Sequence, residues 1–297
     1  MSPGVVSSGA PASGAPAPRA PAPGSRDDGR PAPTDGGAAL LVGSVQCDVA
    51  WHDRAANHRR LRPLVAEAAG EGAGLVLLPE MFATGFSMST EVVAEGPDDA
   101  TAAFLHESAE TLGVSVGGSF ACRLPGGDLP VNRFLLAGPR GEETVYDKVH
   151  PFRYGGEGEH YRAGSERVTV AVDGVRVTPF VCYDLRFADW FWSAADATDC
   201  YVVVASWPES RQAHWRALLV ARAIENQAYV VGVNRVGSGG GVRYRGGSMV
   251  VGPFGAVVSE AGESEEILLA SVDPGEVRTV RTHYPFLADR REPTRDS

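Results

Sequence analysis

A carboxylate, an ammonium and a thiol each follow a segment whose composition predicts a β-strand. Glu80 comes after GLVLLP, Lys148 after ETVYD, and Cys182 at the end of VRVTPFV. A carboxylate near a thiol can act as general base, a lysine can stabilise an oxyanion, and the thiol can attack a carbonyl carbon. If the strand ends meet, the three residue types suit a cysteine-dependent hydrolase.

Each of these residues also has an ordinary structural explanation. A cysteine at the end of an apolar strand is usually a small buried hydrophobic residue. Glu80 could simply terminate a strand, and Lys148 could be a solvated strand end. Glu157 and Glu159 would pass for solvated loop residues. Composition and spacing alone therefore make the hydrolase a hypothesis, which depends on whether the fold brings the side chains together.

The segment around Cys182 predicts a strand-to-helix turn. The apolar run from Val175 to Val181 is too short for a helix, whereas Leu185 to Ala195 has apolar residues at helical spacing and contains no Gly or Pro. Such a turn exposes a side chain at the carboxyl edge of a sheet and directs backbone N–H groups towards it, which favours a nucleophile there.

Strands and helices alternate along the rest of the chain, with some hairpins, which predicts an α/β architecture of buried sheets. Several strands are apolar on both faces, which favours sheets covered by helices on one side and by another sheet on the other. A polar, glycine-rich loop, PFRYGGEGEHYRAG, is long enough to suggest a function. The predicted helices are 53–69, 98–112, 185–195 and 209–227. The predicted strands are 39–49, 74–78, 114–121, 132–138, 143–146, 168–172, 175–181, 200–206, 229–234 and 249–252, and a last hairpin follows them.

The overall composition excludes several classes of partner. The 297 residues carry a net charge of −10 and are 43% hydrophobic, so the chain can bury a large core while its acidic surface disfavours nucleic acids and anionic membranes. The four cysteines form no CxxC pair, which suits a reducing compartment and indicates a cytoplasmic protein. The histidines show no metal-ligand spacing, so we expect neither a metal nor another cofactor.

The chain divides by composition into a tail and a folded domain. Residues 1–38 are almost entirely Ala, Pro, Gly and Ser with a few charges, and we expect them to be disordered because they lack apolar side chains. This tail has no signal-peptide pattern, and no window of the chain approaches the 18 apolar residues of a membrane span. Residues 39–297 are expected to form the functional domain.

Three motifs together resemble one known enzyme family. LVLLPEMFATGFSM, YDKVHPF and VCYDLRFADW, in this order and at these separations, resemble the glutamate, lysine and cysteine motifs of the nitrilase, or carbon–nitrogen hydrolase, superfamily. The resemblance extends from about residue 40 to residue 280. Within the superfamily, PEMFATGFSM, CYDLRF and the SWP segment followed by AHW are similar to the omega-amidase branch, which hydrolyses the terminal amide of 2-oxo acids.

The resemblance implies a role for each catalytic residue. Cys182 would be the nucleophile, Glu80 the general base and Lys148 the oxyanion stabiliser, with the backbone N–H of Tyr183 as the other oxyanion donor. The family also has a second glutamate, which helps to position the attacking groups. Its match here is Glu157, preferred to its neighbour two residues later by the spacing from Lys148.

The substrate of that branch requires an aromatic pocket and a donor for its far carboxylate, since this anion must be paired once it is desolvated. Arg186 could serve, although it lies one turn after the nucleophile and could instead bridge to an acidic residue in the core or an interface. Position near the strand ends makes the following residues candidates for substrate binding: Phe86, Met88, Phe152, Arg153, Arg186 and Trp207.

The resemblance further implies a four-layer αββα sandwich and a homodimer or larger homo-oligomer formed by packing helices. The helices beginning near Leu185 and Glu209 carry apolar and aromatic residues that suit such an interface, although core packing explains some of them equally well. These residues are Phe187, Trp190, Phe191, Trp192 and Trp215.

Three functions are compatible with the sequence. The leading one is an omega-amidase acting on 2-oxoglutaramate or 2-oxosuccinamate, which releases ammonia. A second keeps the same catalytic residues but acts as an aliphatic amidase, an N-carbamoyl hydrolase or a nitrilase. The third is a non-catalytic binding protein on the same fold. A binding scaffold has no need to keep a thiol beside a glutamate and a lysine, which argues against the third.

Overall fold

The computed structural model describes residues 38–291. The predicted disorder of residues 1–38 therefore falls, Ala38 apart, outside the described residues. Within them the chain forms fourteen strands. They are β1 (Leu40–Gln46), β2 (Leu75–Leu77), β3 (Ser115–Cys122), β4 (Val131–Ala137), β5 (Glu143–Asp147), β6 (Val170–Val172), β7 (Val175–Val181), β8 (Cys200–Ala205), β9 (Tyr229–Asn234), β10 (Val236–Gly239), β11 (Val242–Arg245), β12 (Met249–Val251), β13 (Val257–Glu260) and β14 (Glu266–Val272).

The described residues also form α-helices and short 3₁₀ turns between the strands. The α-helices are α1 (Arg54–Gly70), α2 (Thr90–Val93), α3 (Ala100–Leu112), α4 (Glu157–His160), α5 (Ala188–Trp192), α6 (Gln212–Asn226) and α7 (Pro274–His283). The 3₁₀ turns are Arg153–Gly155, Cys182–Arg186, Ala195–Ala197, Glu209–Arg211 and Phe286–Asp289. None of the helices in residues 38–291 is long and apolar enough to cross a bilayer.

Two six-stranded sheets share one pattern of strand directions. In the first sheet the order is β14-β1-β2-β3-β4-β5, and in the second it is β13-β12-β9-β8-β7-β6. Each has three adjacent parallel strands, β1-β2-β3 and β7-β8-β9, flanked by antiparallel ones. Because parallel strands end at the same edge of a sheet, the residues that follow β7 and β8 lie close together. The residue Glu80, which follows β2 of the other sheet, reaches them across the two sheets and accepts a hydrogen bond from Ser206.

Four layers follow from how the sheets bury their faces. Side chains of both sheets, among them Leu77 and Phe134 from the first and Phe180 and Val202 from the second, belong to one buried cluster. The other face of the first sheet packs against α1 and α3. Helix α6 packs against β9 and β12 of the second sheet. The predicted αββα sandwich is therefore confirmed.

Close packing of α6 on the second sheet depends on a glycine in β9. A Cβ atom built at Gly232 would lie 2.5 Å from a methyl carbon of Leu219 and 2.8 Å from the ring of Trp215. Any larger residue would push the helix off the sheet, because a packed core has no room for an additional methyl group.

Two of the aromatic residues predicted for an interface lie in the core of the chain. Phe191 and Trp215 are fully buried, Phe191 against Phe180 at 4.3 Å between ring centroids. Trp192 is 42% exposed. Core packing therefore accounts for Phe191 and Trp215, and Trp192 is available for other contacts.

The helix predicted over residues 185–195 is wrong. The chain instead forms the 3₁₀ turn Cys182–Arg186, an extended residue at Phe187 and the short helix α5. Asp184 explains the difference, because its carboxylate accepts hydrogen bonds from the backbone N–H of Val181 at 3.1 Å and from the hydroxyl of Tyr146 at 2.8 Å. These bonds fold the turn back onto β7 and stop a helix from starting there.

The same carboxylate links the turn to the first sheet. Besides Tyr146 of β5, it accepts from the backbone N–H of His150 at 2.9 Å, and the His150 ring nitrogen Nδ1 lies 2.7 Å from it. Asp184 is fully buried, so its loss would leave several donors without an acceptor.

We predict that Asp184→Asn lowers the free energy of unfolding by about 1 to 3 kcal/mol, because an amide cannot accept from all these donors. Urea titration followed by circular dichroism measures the change. Asp189→Asn, at an exposed position of α5, is the matched control and should leave the midpoint unchanged. Equal effects of the two substitutions would contradict this account of the turn.

Candidate active site

The strand ends bring Glu80, Lys148 and Glu157 into contact. Glu80 lies beyond β2, and Lys148 extends the ladder of β5 by donating its backbone N–H to the carbonyl of Asn132 at 2.9 Å. The Lys148 ammonium lies 2.9 Å from Oε1 of Glu80 and 2.8 Å from Oε2 of Glu157. All three side chains are at most 1% exposed, so this is a buried charge cluster.

The cluster keeps the lysine charged. Burial lowers the pKa of Lys148, but the charges of Glu157 and Glu80 outweigh burial, and the pKa is raised above its ordinary value. Burial also raises the pKa of Glu157, while Lys148 lowers it and Glu80 raises it, with a net rise. The ammonium is therefore a fixed positive charge at the base of the site.

Glu157, rather than Glu159, reaches the cluster. The carboxylate of Glu157 also accepts the backbone N–H of Phe152 at 2.5 Å, which fixes the loop after Lys148. Glu159 is exposed. The glutamate that the spacing from Lys148 had favoured, Glu157, is therefore the one that contacts Lys148.

Two residues that the sequence reasoning missed complete the surroundings of Glu80. Asn132 Nδ2 donates to Glu80 Oε1 at 2.8 Å and to Glu157 Oε1 at 3.2 Å. The backbone N–H of Ser206 donates to Glu80 Oε2 at 2.9 Å. Ser206 follows the apolar strand β8 in the way that Cys182 follows β7, and this repeated position is the signal that could have found it.

Cys182 lies beside this cluster in a strained turn. Its φ is 48°, in the left-handed region, which directs the side chain away from the line of the strand. Burial raises the pKa of the Cys182 thiol, Glu80 raises it further by its charge and by a hydrogen bond, and Lys148 lowers it. The net shift is well upward, so the resting group is a thiol and any attack requires a base to remove its proton.

A cavity of about 330 Å³ opens onto Cys182. It is lined by the thiol, by Tyr183 and by five of the six predicted substrate-binding residues, which are Phe86, Met88, Phe152, Arg186 and Trp207. Arg153 is the exception, because its side chain is exposed and lines a separate surface cavity. The cavity walls thus combine aromatic surface with cationic groups, as small-molecule sites commonly do.

The further lining residues include three large side chains that the sequence did not single out: Trp51, Arg211 and Tyr244. They come from the loop after β1, from the 3₁₀ turn after Trp207 and from the hairpin strand β11. Burial raises the pKa of Tyr244 to about 12, so its phenol keeps its proton. Trp51 and Tyr244 are distant in sequence from the predicted site residues, and only the fold places them at this cavity. Arg211 is close to Trp207 in sequence, but only the 3₁₀ turn directs it to the same cavity.

Aromatic rings lie against the cationic groups in and beside the cavity. The Arg186 guanidinium lies 4.9 Å from the ring centre of Trp207, and that of Arg211 lies 5.2 Å from the ring centre of Phe152. Lys148 lies 5.1 Å from the ring centre of Phe86.

Among residues 38–291, no group of three or more His, Cys, Asp or Glu side chains is arranged to hold a metal ion.

Comparison of the sequence with known proteins identifies the family of this chain. The family model described as carbon–nitrogen hydrolase matches residues 41–282. Omega-amidase YafV of Escherichia coli K12 is 40% identical over 256 residues, 85% of this chain and 97% of that protein. The 2-oxoglutaramate amidase of Bacillus subtilis is 31% identical over 84% of this chain and 97% of that protein.

A solved structure of the same superfamily has a similar fold. XC1258 from Xanthomonas campestris, a CN-hydrolase superfamily protein with an arsenic adduct in its active site, superposes with a TM-score of 0.81 at 36% identity and covers 86% of this chain and 98% of its own. The predicted superfamily is confirmed: this chain belongs to the carbon–nitrogen hydrolase family and is a hydrolase of carbon–nitrogen bonds other than peptide bonds.

Proposed function

We propose that this protein is an omega-amidase that hydrolyses the terminal amide of 2-oxo dicarboxylic acid monoamides, such as 2-oxoglutaramate and 2-oxosuccinamate. The carrying observation is the buried Glu80, Lys148 and Cys182 cluster at a small cavity whose charged side chains are both arginines. The relatives named omega-amidase and 2-oxoglutaramate amidase, which align over most of both chains, support the same substrate class.

In the proposed first step, Glu80 removes the proton of Cys182 as sulfur attacks the amide carbon. The raised pKa of the thiol makes this transfer necessary, because little thiolate exists before the substrate binds. Asn132 and the Ser206 N–H hold both oxygens of Glu80, which orients the base. Carboxylate, thiol and substrate carbon are then positioned for proton transfer and attack together.

The oxyanion that forms is stabilised by the Lys148 ammonium and by the backbone N–H of Tyr183. Glu157 holds the ammonium in place and keeps it charged. Such donors act strongly in a buried site because they are already oriented before the charge develops. Losing one typically costs about 2.7 to 4 kcal/mol of transition-state stabilisation.

The intermediate then collapses. Protonated Glu80 gives its proton to the amide nitrogen, the C–N bond breaks, and ammonia leaves with the acyl group bound to Cys182 as a thioester. Glu80 next takes a proton from water, whose oxygen attacks the thioester carbon, and the C–S bond breaks. The acid product departs and the proton returns to the Cys182 sulfur.

We predict ammonia release from 2-oxoglutaramate and 2-oxosuccinamate, abolished by Cys182→Ala and retained by Cys122→Ala, a buried thiol that does not line the cavity. Glutamine, a carbamoyl amino acid and a simple nitrile are the comparison substrates. Preferential release from one of these would overturn the substrate assignment but keep the mechanism. Turnover by Cys182→Ala would exclude Cys182 as the nucleophile, and no turnover at all would favour a binding protein.

We also propose a homodimer or larger homo-oligomer. Apolar residues of α6 and of the turn after β12 form one exposed patch, with Ile224 at 52% and Phe254 at 57% exposure. The Tyr284 ring stacks on Phe254 at 5.0 Å, and Phe286 is also exposed. Contiguous exposed apolar surface of this kind commonly marks an association site.

Ile224→Glu should therefore lower the molar mass measured by light scattering at a fixed concentration, because a carboxylate would be buried in the interface. Ala217→Glu, at an exposed position of the same helix, is the control and should leave the mass unchanged. A monomer in the unmodified protein would contradict the proposal.

Two further assignments complete the proposal. Catalysis resides in residues 39–297, so deleting residues 1–38 should leave kcat/KM for 2-oxoglutaramate unchanged, and a large loss would assign the tail a part in the site.

The protein acts in the cytoplasm, which its four unpaired cysteines favour. Cell fractionation with an antibody against the chain tests this location, and recovery outside the cytoplasmic fraction would contradict it.

A further inference from the structure

The cavity at Cys182 has an unbalanced charge. Its lining includes no Asp, Glu, Lys or His side chain, and its two charged residues are Arg186 and Arg211. Among residues 38–291, the side-chain contacts of these two guanidinium groups are with aromatic rings and with His214, and neither has a carboxylate partner in an ion pair. Two cations beside aromatic walls create a site in which an anion gains more than a neutral group.

Arg186 is already held by the protein. Its guanidinium lies 4.9 Å from the ring centre of Trp207 and 5.8 Å from that of Tyr183. Its Nη2 lies 3.2 Å from Nδ1 of His214. These contacts hold the Arg186 guanidinium against the side of the cavity, and the contact with His214 uses one of its two terminal nitrogens.

Arg211 has no such hydrogen bond. Its guanidinium stacks on the Phe152 ring at 5.2 Å, and within the described part of the chain no side-chain or backbone acceptor lies within hydrogen-bond distance of it. Its guanidinium lines the cavity, and its N–H donors have no acceptor among the described residues. A half-buried guanidinium that has no acceptor in the protein can pair with an anion bound in the cavity.

The backbone that carries Arg211 is rigid. The indole Nε1 of Trp207 donates to the carbonyl of Arg211 at 2.9 Å, and the N–H of Arg211 donates to the carbonyl of Pro208 at 3.0 Å. Ser206, which binds Glu80, directly precedes this segment.

The ring that contacts the Arg211 guanidinium belongs to Phe152, whose N–H donates to the Glu157 carboxylate. Arg211 is thus fixed relative to the reacting groups from both sides.

We infer that Arg211 is the specificity-determining residue that binds the carboxylate at the far end of the substrate. This inference rests on the proposed amidase function. In an extended five-carbon monoamide the carboxylate lies about 5 Å from the amide carbon, as four bonds of about 1.5 Å allow. Both ends must then lie in one cavity, and Cys182 and Arg211 line the same one. The planar guanidinium pairs with both carboxylate oxygens, which a lysine cannot do equally well.

Three amides of equal chain length test the assignment: 2-oxoglutaramate, glutaramate, which lacks only the oxo group, and pentanamide, which lacks the carboxylate as well. For Arg211→Met, kcat/KM for the two carboxylates should fall about 100-fold relative to that for pentanamide, the loss expected for a bidentate charged hydrogen bond. Arg211→Lys should recover part of the loss. Arg216→Met, at an exposed position of α6, is the control and should change none of the three.

Binding to Cys182→Ala provides a second measurement that needs no turnover. Calorimetry with glutarate should show a dissociation constant about 100-fold larger when Arg211→Met is added. If the unmodified enzyme hydrolyses none of the amides, the proposed function fails, and this binding measurement still decides the role of Arg211.

Three results would overturn the inference while leaving the amidase function in place. The first is an equal loss on all three amides, which would make Arg211 a structural residue. The second is unchanged kinetics and unchanged glutarate binding in Arg211→Met. The third is an unmodified enzyme that hydrolyses pentanamide as well as glutaramate, since such a cavity would not select an anion.

Discussion

The burial of the Lys148 ammonium between two carboxylates is the interaction on which the site depends. A buried ammonium alone would be strongly destabilised, and the attraction of Glu80 and Glu157 offsets that cost only if the remaining lone pairs are also satisfied. Asn132 and the Ser206 N–H satisfy them. A positive charge therefore persists where water cannot screen it, which is what the proposed stabilisation of an oxyanion requires.

This constraint explains the arrangement of the two sheets. Glu80 and Lys148 come from the first sheet, whereas Cys182 and Ser206 follow parallel strands of the second. The face-to-face packing of the sheets brings their ends to one place, and the shared core between them holds the distances. The first sheet supplies the carboxylate and the ammonium of the site, and the second sheet supplies the thiol that lines the cavity.

Sequence patterns predicted strands buried on both faces and placed Glu80, Lys148 and Cys182 at strand ends, because these features follow from local rules. The four-layer sandwich and the roles of the three residues came from the resemblance to a family. Apolar runs of strand length, each followed by a polar residue, mark both the parallel strands and the edge where Glu80 and Cys182 meet. The patterns failed where a side chain overrides local preference, as Asp184 does after Cys182. They also missed Asn132, Arg211 and Tyr244, whose positions depend on contacts between distant segments.

The bonds of Asp184 have a consequence for how the molecule opens. This carboxylate joins the turn that carries Cys182 to Tyr146 and His150, which flank Lys148 along the chain. A fluctuation that exposes the thiol must therefore also break bonds to the lysine segment, so both segments belong to one cooperative unit. When that unit opens, the Cys182 thiol separates from Glu80 and from Lys148, so we expect a partly opened molecule to expose the proposed nucleophile without its proposed base.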